Sequence, residues 1–134
     1  MLTSGCFDLL HPGHVAFLEA ARGLGDKLVV AVSDDPFVAA QKGTGRPVFP
    51  VAERHAMLTA LRSVDRVVIN EWPDAAKLIT ALRPAVYAKG ADYAGGDPSG
   101  RLALEQAAVE SIGGALVILD TWPRYSSSAL LARP

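Results

Sequence analysis

Short runs of aliphatic residues alternate with amphipathic stretches along the chain. The apolar runs are MLTSGC at 1–6, KLVVAV at 27–32, RVVI at 66–69, AVYA at 85–88 and ALVIL at 115–119. Continuous runs of this length predict strands of a parallel sheet that is covered on both faces, and the stretches between them are long enough for crossover helices. The pattern therefore predicts an α/β domain.

Helical periodicity is strongest in four of the intervening stretches, at 13–24, 51–62, 74–82 and 102–112. Gly25 is a suitable stop for the first helix, and Gly113-Gly114 is a suitable stop for the fourth. Pro73 and Asp74 are residue types that often begin a helix, which places the start of the third.

Two segments that are rich in Gly, Pro and Asp are predicted to be irregular. They lie at 33–50 and 90–100, and each follows a predicted strand. In an open parallel sheet, ligands bind beyond the carboxyl ends of the strands, so these loops lie where a binding site is expected. The alternative is that they are two variable surface loops without a function.

The composition narrows the class of protein. The chain has 134 residues, half of them hydrophobic, and a formal net charge of -1. These values predict one domain, residues 1–134, and they exclude a disordered chain or a broad basic surface for nucleic acid. The first residues lack a signal-peptide pattern, and no apolar run is long enough to cross a membrane. We therefore expect a cytoplasmic protein that binds anions locally.

Two histidines lie where the first strand gives way to a helix, in GCFDLLHPGH at 5–14. Pro12 suits the first helical turn, so His11 and His14 would lie together beside the free N–H groups and positive dipole end of that helix. Imidazole N–H groups donate to phosphate oxygens, and a bound polyphosphate would favour the charged ring. The alternative is that one histidine only caps the helix or fills a polar gap.

Other signals are weaker or absent. Neither a dinucleotide fingerprint after a strand nor a P-loop motif occurs, and no catalytic triad can be inferred. Cys6, the only cysteine, excludes an internal disulfide and is interpreted as a packed core residue. Ser126 and Ser127 precede an apolar helical turn, where serine caps well, and would form a second anion site.

The two ends of the chain resemble a known family. GCFDLLHPGH resembles the TxGxFDxxHxGH signature of the cytidylyltransferase-like nucleotidyltransferases, and YSSSALL at 125–131 resembles their ISSTxI motif. The stretches KGTGRPVFP at 42–50 and AKGADY at 88–93 resemble the adenylyltransferase domains that make ADP-heptose from heptose 1-phosphate. The resemblance covers nearly the whole chain.

The resemblance implies a Rossmann-like three-layer sandwich with a five-stranded parallel sheet in the order 3-2-1-4-5, and a homodimer. It also implies an enzyme in which a sugar-phosphate oxygen attacks the α-phosphorus of ATP and pyrophosphate leaves. Mg²⁺ is expected to be held by the triphosphate and water, with no protein ligand assigned.

The resemblance also assigns residues, one by one. Those expected to act in catalysis are His11, His14, Lys42 and Asp8. Those expected at the nucleotide are Gly5, Cys6, Phe7, His11, His14, Lys89, Gly90, Asp92, Tyr93, Ser126 and Ser127. Those expected at the acceptor phosphate are Asp8, Lys42, Arg46 and Arg54. Ala91 departs from the family pattern, which has a second glycine there.

Two alternatives remain open at this point. One is a cytidylyltransferase that uses CTP and glycerol 3-phosphate or another small phosphate. The other is a nucleotide-binding module that has lost catalysis, which would predict damaged site residues.

Overall fold

The computed structural model describes residues 1–93, 97–121 and 131. Its strands are β1 (Leu2–Gly5), β2 (Val29–Ser33), β3 (Arg66–Asn70), β4 (Val86–Gly90) and β5 (Ala115–Leu119). Its helices are α1 (Pro12–Arg22), α2 (Asp35–Lys42), α3 (Val51–Thr59), α4 (Ala76–Leu82) and α5 (Arg101–Ser111), with one 3-10 turn at Ala91–Tyr93.

The strands form one parallel sheet in the order β3-β2-β1-β4-β5. β1 is central, with Leu2 paired to Val29 of β2 on one side and to Tyr87 of β4 on the other. Strands β2 and β3 lie on one side of β1, and β4 and β5 lie on the other. The carboxyl ends of β1 and β4 are therefore adjacent at this point where the strand order reverses. The predicted α/β class and the strand order implied by the resemblance are both confirmed.

Each face of the sheet is covered by helices, which makes the three layers. One core contains Leu18 of α1 and Leu58 of α3, packed on β2. The other contains Ile79 of α4 and Val109 of α5, packed on the opposite face. All four side chains are fully buried, and each such burial stabilises the fold by about 1.5–3 kcal/mol.

The first irregular segment was predicted wrongly in its first half, because α2 lies within it. Asp34 is the N-cap, and its Oδ1 accepts a hydrogen bond from the backbone N–H of Asp35 at 2.8 Å. Pro36 then fits the first turn, where its missing N–H costs nothing. The Gly- and Pro-rich content of the segment concealed this ordinary helix start.

The other helix ends differ from the predictions by only a few residues. α1 ends at Arg22 with Gly23 as its C-cap, earlier than the expected stop at Gly25. Gly113 adopts a positive φ of 84° directly after the C-cap of α5, as the predicted glycine stop requires. Among the described residues, no helix has the length and apolar character needed to cross a membrane.

Candidate active site

A cleft lies at the carboxyl ends of the central strands and consists of two adjoining cavities. The smaller cavity, of about 220 Å³, is lined by charged residues that include Asp8, Lys42 and Arg46. The larger cavity, of about 510 Å³, has apolar walls that include Phe17 and Leu119. Residues lining both cavities are Ser4, Gly5, Cys6, Phe7, His11, His14, Lys89, Asp92 and Tyr93. The boundary between the cavities therefore lies at the histidines and Lys89.

The turn that joins β1 to α1 has a strained backbone. Phe7 adopts a φ of 46°, a conformation that costs a non-glycine residue energy. Its ring packs over Gly5, where an added Cβ would lie 3.0 Å from Cε2 of the ring, and it contacts His14 at a centroid distance of 5.4 Å. Gly5 is thus required by a close approach, and Phe7 supports the second histidine.

The two histidines form a reciprocal cap at the start of α1. Nδ1 of His11 accepts a hydrogen bond from the backbone N–H of His14, and Nδ1 of His14 accepts one from the N–H of His11, both at 3.3 Å. Their rings stack with centroids 3.8 Å apart. Because each Nδ1 is an acceptor, these hydrogen bonds assign the proton of each neutral ring to Nε2.

Burial keeps both rings neutral. It lowers the pKa of His14 to about 4, with a further decrease from the proximity of His11, and it also lowers the pKa of His11. A protonated ring would place a hydrogen on Nδ1, which could no longer accept the capping N–H. The histidines therefore cap the helix and also line the cleft, and their role as phosphate donors stays a prediction.

Asp8 holds the loop that follows α2. Its carboxylate is 3% exposed and accepts hydrogen bonds from Nε of Arg46 at 2.7 Å, from the N–H of Val48 at 2.8 Å and from the N–H of Phe49 at 3.0 Å. Burial by itself would raise the pKa of Asp8, but the hydrogen bonds outweigh it and keep the pKa below its usual value. This position favours anchoring of the loop over the direct approach to an acceptor that the resemblance implies.

Two cations at the end of α2 and in the loop after it line the same cavity as the histidines. Lys42, the last residue of α2, and Arg46 line the smaller cavity together with His11 and His14. Arg46 is oriented by its ion pair with Asp8, in which the carboxylate is fully buried. Two segments that are distant in the sequence thus supply positive charge and N–H donors to one cavity.

Arg54 is placed differently from the expectation. Its side chain is 1% exposed, and its guanidinium donates to the carbonyl oxygens of Cys6 at 2.8 Å, Ser33 at 2.6 Å and Phe49 at 2.9 Å, and to Asp35 at 2.7 Å. These partners come from the ends of β1 and β2, the start of α2 and the loop before α3. Arg54 therefore ties the site's supporting segments together, and its burial opposes the expected role in binding phosphate.

The end of β4 and the turn that follows it lie on the opposite side of the cleft from the loop after α2. Lys89 donates from Nζ to the carbonyl oxygen of Ser4 at 2.9 Å, and Nζ lies 4.9 Å from the centre of the Tyr93 ring. A Cβ added to Gly90 would lie 2.8 Å from Oδ1 of Asp92, so a larger residue here would displace the Asp92 carboxylate. Ala91 has no positive φ, and the turn accommodates its methyl group without strain.

Cys6 is not a core residue, contrary to the interpretation from the sequence. It is only partly buried, lines both cavities and lies 3.9 Å from Oε1 of Gln41 through its sulfur. The apolar run before it suggested burial, but β1 ends at Gly5 and the chain turns into the cleft at that point.

Sequence reasoning missed several residues of the smaller cavity. They are Asn70, Asp74, Asp97, Arg101 and Glu105, which come from the end of β3, the start of α4 and α5. The position of Glu105 in the sequence could have identified it. It lies between Leu102 and Val109 on the buried stripe of α5, where a charged residue is unusual. Ser126 and Ser127 lie outside the described residues.

Comparison with known proteins agrees with this architecture. The family model described as Cytidylyltransferase-like matches residues 2–133. The chain belongs to the cytidylyltransferase-like family. Its curated relatives include the Bifunctional protein HldE of Streptomyces coelicolor, 48% identical over 96% of this chain, and that of Alkalilimnicola ehrlichii, 47% identical over 99%. The family and these relatives indicate a nucleotidyltransferase.

This cytidylyltransferase-like chain spans about a quarter of those curated relatives, 27% of each. Among solved structures, a lipopolysaccharide core biosynthesis protein from Thermoplasma volcanium matches with a TM-score of 0.69 at 28% identity, over 93% of this chain and 96% of that one. Pantothenate synthetase from Thermus thermophilus matches with a TM-score of 0.63 at 20% identity, over 99% of this chain and 60% of that one, and supports the fold alone.

Proposed function

We propose that this domain transfers AMP from ATP to a sugar 1-phosphate, with heptose 1-phosphate as the preferred acceptor and ADP-heptose as the product. The observation that carries the proposal is the stacked pair of His11 and His14. The two Nε2–H donors lie at the boundary of two cavities, and the side chains of Lys42, Arg46 and Lys89 line the same cleft. The likeness to the HldE relatives supports the sugar phosphate as acceptor.

The reaction needs little acid or base, because the acceptor phosphate is already ionised near neutral pH. An oxygen of that phosphate forms a bond to the α-phosphorus of ATP, and the bond from this phosphorus to the bridging oxygen breaks, so that the electron pair leaves on pyrophosphate. Holding the two anions in line contributes several kcal/mol, about 7 or more in the best cases. Each fixed donor that meets the developing charge contributes about 3 kcal/mol.

The two cavities suit different parts of the substrates. The larger cavity has apolar walls near Gly90 and Tyr93, and we assign it to the adenine and ribose. The smaller cavity has the cations Lys42 and Arg46, and we assign it to the acceptor. In this proposal the triphosphate lies between them on the start of α1, and Ser126 and Ser127 bind its β- and γ-phosphates.

Three further features belong to the proposal. Mg²⁺ enters with the triphosphate, and phosphate oxygens and water supply its ligands. The enzyme acts in the cytoplasm, where sugar phosphates and ATP are found. It acts as a homodimer, as the family resemblance implies.

The test is pyrophosphate release from ATP or CTP, measured against a panel of heptose, hexose and glycerol phosphates. We expect ATP with a heptose 1-phosphate to give the highest kcat/KM. Faster turnover of CTP with glycerol 3-phosphate would replace the proposal by the cytidylyltransferase alternative. Tight ATP binding without turnover on any acceptor would show that the chain is a binding module.

A further inference from the structure

A buried polar network forms part of the cleft floor, and of its four members only Lys89 has been named in the proposed function so far. It consists of Ser4 at the end of β1, Tyr87 and Lys89 on β4, and Glu105 on α5. None of the four is more than 9% exposed. Lysine and glutamate are almost never buried without a partner, so the burial of Lys89 and Glu105 needs an explanation.

The contacts of the network are specific. Ser4 Oγ shares a hydrogen bond with the hydroxyl of Tyr87. The backbone carbonyl oxygen of Ser4 accepts a hydrogen bond from Nζ of Lys89. Oε2 of Glu105 accepts a hydrogen bond from the backbone N–H of Ala75 at 2.8 Å. The same carboxylate also interacts with the hydroxyl of Tyr87. The network therefore joins both strand ends at the cleft to α5 and to the start of α4.

Lys89 lies at the boundary of the two cavities with N–H donors available to an anion. It lines both cavities, as the two histidines do, and among the described residues its hydrogen-bond acceptor is a single neutral carbonyl oxygen, that of Ser4. An ammonium group has three N–H donors, so two remain for a ligand. In the proposed assignment of the two cavities, the transferred phosphate of the nucleotide meets the acceptor at this boundary.

The charged groups around Lys89 come from every neighbouring element. Burial lowers the pKa of its ammonium, and Glu105 opposes that effect most strongly, followed by Cys6 after β1 and Asp92 in the 3-10 turn. Arg101, on the same helix as Glu105, lowers the pKa further. The phenols of Tyr87 and Tyr93 have raised pKa values and stay neutral beside it.

We propose that Lys89 contacts the α-phosphate of ATP in the transition state, and that Glu105 is a positioning residue that holds Lys89 in place through Tyr87 and Ser4. Glu105 lines the smaller cavity, but its carboxylate is held by the N–H of Ala75 and the hydroxyl of Tyr87, so in this proposal it acts through Lys89. Assigning the anion as the α-phosphate rests on the proposed function. The positioning of Lys89 by Glu105 rests on the hydrogen bonds of the network, which run from Glu105 through the hydroxyl of Tyr87 and through Ser4 to Nζ of Lys89.

The activity test uses Lys89→Met, Glu105→Gln and the double variant, with Glu110→Gln on the exposed side of the same helix as the matched control. Glutamine keeps an oxygen for the N–H of Ala75 but removes the charge. We expect Lys89→Met to lower kcat about 100-fold and Glu105→Gln about 10-fold at neutral pH, with the basic limb of the pH profile moved to lower pH.

The double variant distinguishes positioning from a merely structural effect. If Glu105 acts through Lys89, Glu105→Gln costs nothing further once Lys89 is methionine, because the two effects are not additive. Removal of both charges also avoids an unpaired buried ion, so the double variant is the one expected to fold best. The proposal would be overturned if Glu105→Gln lowered kcat 10-fold both in the wild type and in Lys89→Met. It would also be overturned if the basic limb of the pH profile did not move in Glu105→Gln.

A second measurement is independent of turnover. With ¹³Cε-labelled lysine, the Lys89 signal is assigned by its absence in Lys89→Met and titrated by NMR. We expect its midpoint to fall by about one pH unit or more in Glu105→Gln, to stay unchanged in Glu110→Gln, and to rise when a non-hydrolysable ATP analogue binds. If no sugar phosphate is turned over but these shifts occur, the proposed function fails while the pairing stands. If the wild type is active and the shifts are absent, the pairing fails alone.

Discussion

His11 and His14 each accept the backbone N–H of the other through Nδ1, at 3.3 Å in both directions. The rings that would face the triphosphate are therefore the same rings that cap α1. Protonation of either ring breaks one cap, so the ionisation of the pair is coupled to the stability of the helix start.

The first prediction concerns pH. Because the pKa of His14 is about 4 in the folded chain and 6.5 in the unfolded chain, the unfolded chain binds more protons between these values, and stability falls as the pH drops from about 6.5 to about 4. For this residue the loss amounts to about 3 kcal/mol. Urea unfolding without nucleotide, repeated across this range, measures it.

The matched variants are His14→Gln and His55→Gln. Glutamine at the third helical position can still accept the N–H of the N-cap residue but does not titrate, so His14→Gln should flatten the pH dependence. His55 lies on α3, away from the pair, and its variant should retain the wild-type slope. An unchanged slope in His14→Gln would contradict the coupling.

The second prediction separates capping from phosphate binding at His11. Asparagine is a good N-cap, so His11→Asn should keep the free energy of unfolding within about 1 kcal/mol of the wild type. It lacks the Nε2–H donor, so turnover should fall by about 10-fold or more. Chemical denaturation and pyrophosphate release measure the two effects. Normal turnover in a stable variant would remove His11 from the site.

The third prediction tests Arg54 as a structural residue. Arg54→Met leaves the carbonyl oxygens of Cys6, Ser33 and Phe49 without their donor, and we expect a loss of about 3 kcal/mol or more of folding free energy. Arg62→Met, at a side chain that is 95% exposed, should change it by less than about 0.5 kcal/mol. If Arg54→Met were as stable as the control while losing affinity for phosphate, the sequence-based expectation would be right.

The fourth prediction tests Asp8 as the anchor of the loop after α2. In Asp8→Ala the amides of Val48 and Phe49 lose their acceptor, and their hydrogen exchange should become about 10-fold faster or more. The exposed Asp26 provides the control, Asp26→Ala, which should leave both rates unchanged. Retained protection of the two amides in Asp8→Ala would show that the loop is held by other contacts.

Much of the fold was predictable because its signals are local. The five aliphatic runs predicted the strands, and four of the five helices α1–α5 that the structure describes before residue 122 followed from periodicity and from residues such as Gly113. The missed helix, α2, begins at Asp34 and Pro36, whose local signals were outweighed by the glycines and prolines further along the same segment. The strand order came from the resemblance, because the hydrophobic pattern of one sequence does not show which distant strands pair.

The site was predictable only in part. The motif identified His11 and His14, and their place at a strand-to-helix turn follows from the sequence around them. The sequence could not show that Arg46 lines the cavity while Arg54 is buried, because both are arginines in the same stretch that resembles the family. Arg101 and Glu105 lay on an ordinary helix far along the chain and had no motif at all.

By itself, the sequence determined the class of fold, the helix start that carries the histidines and the family of the chain, because each depends on residues that are close together or on a motif. The tertiary structure alone decided which charged side chains face the cleft and which are buried beneath it. The physical reason is that burial and pairing depend on neighbours from other segments: Asp8 meets Val48, and Lys89 meets Ser4, only after the sheet has formed.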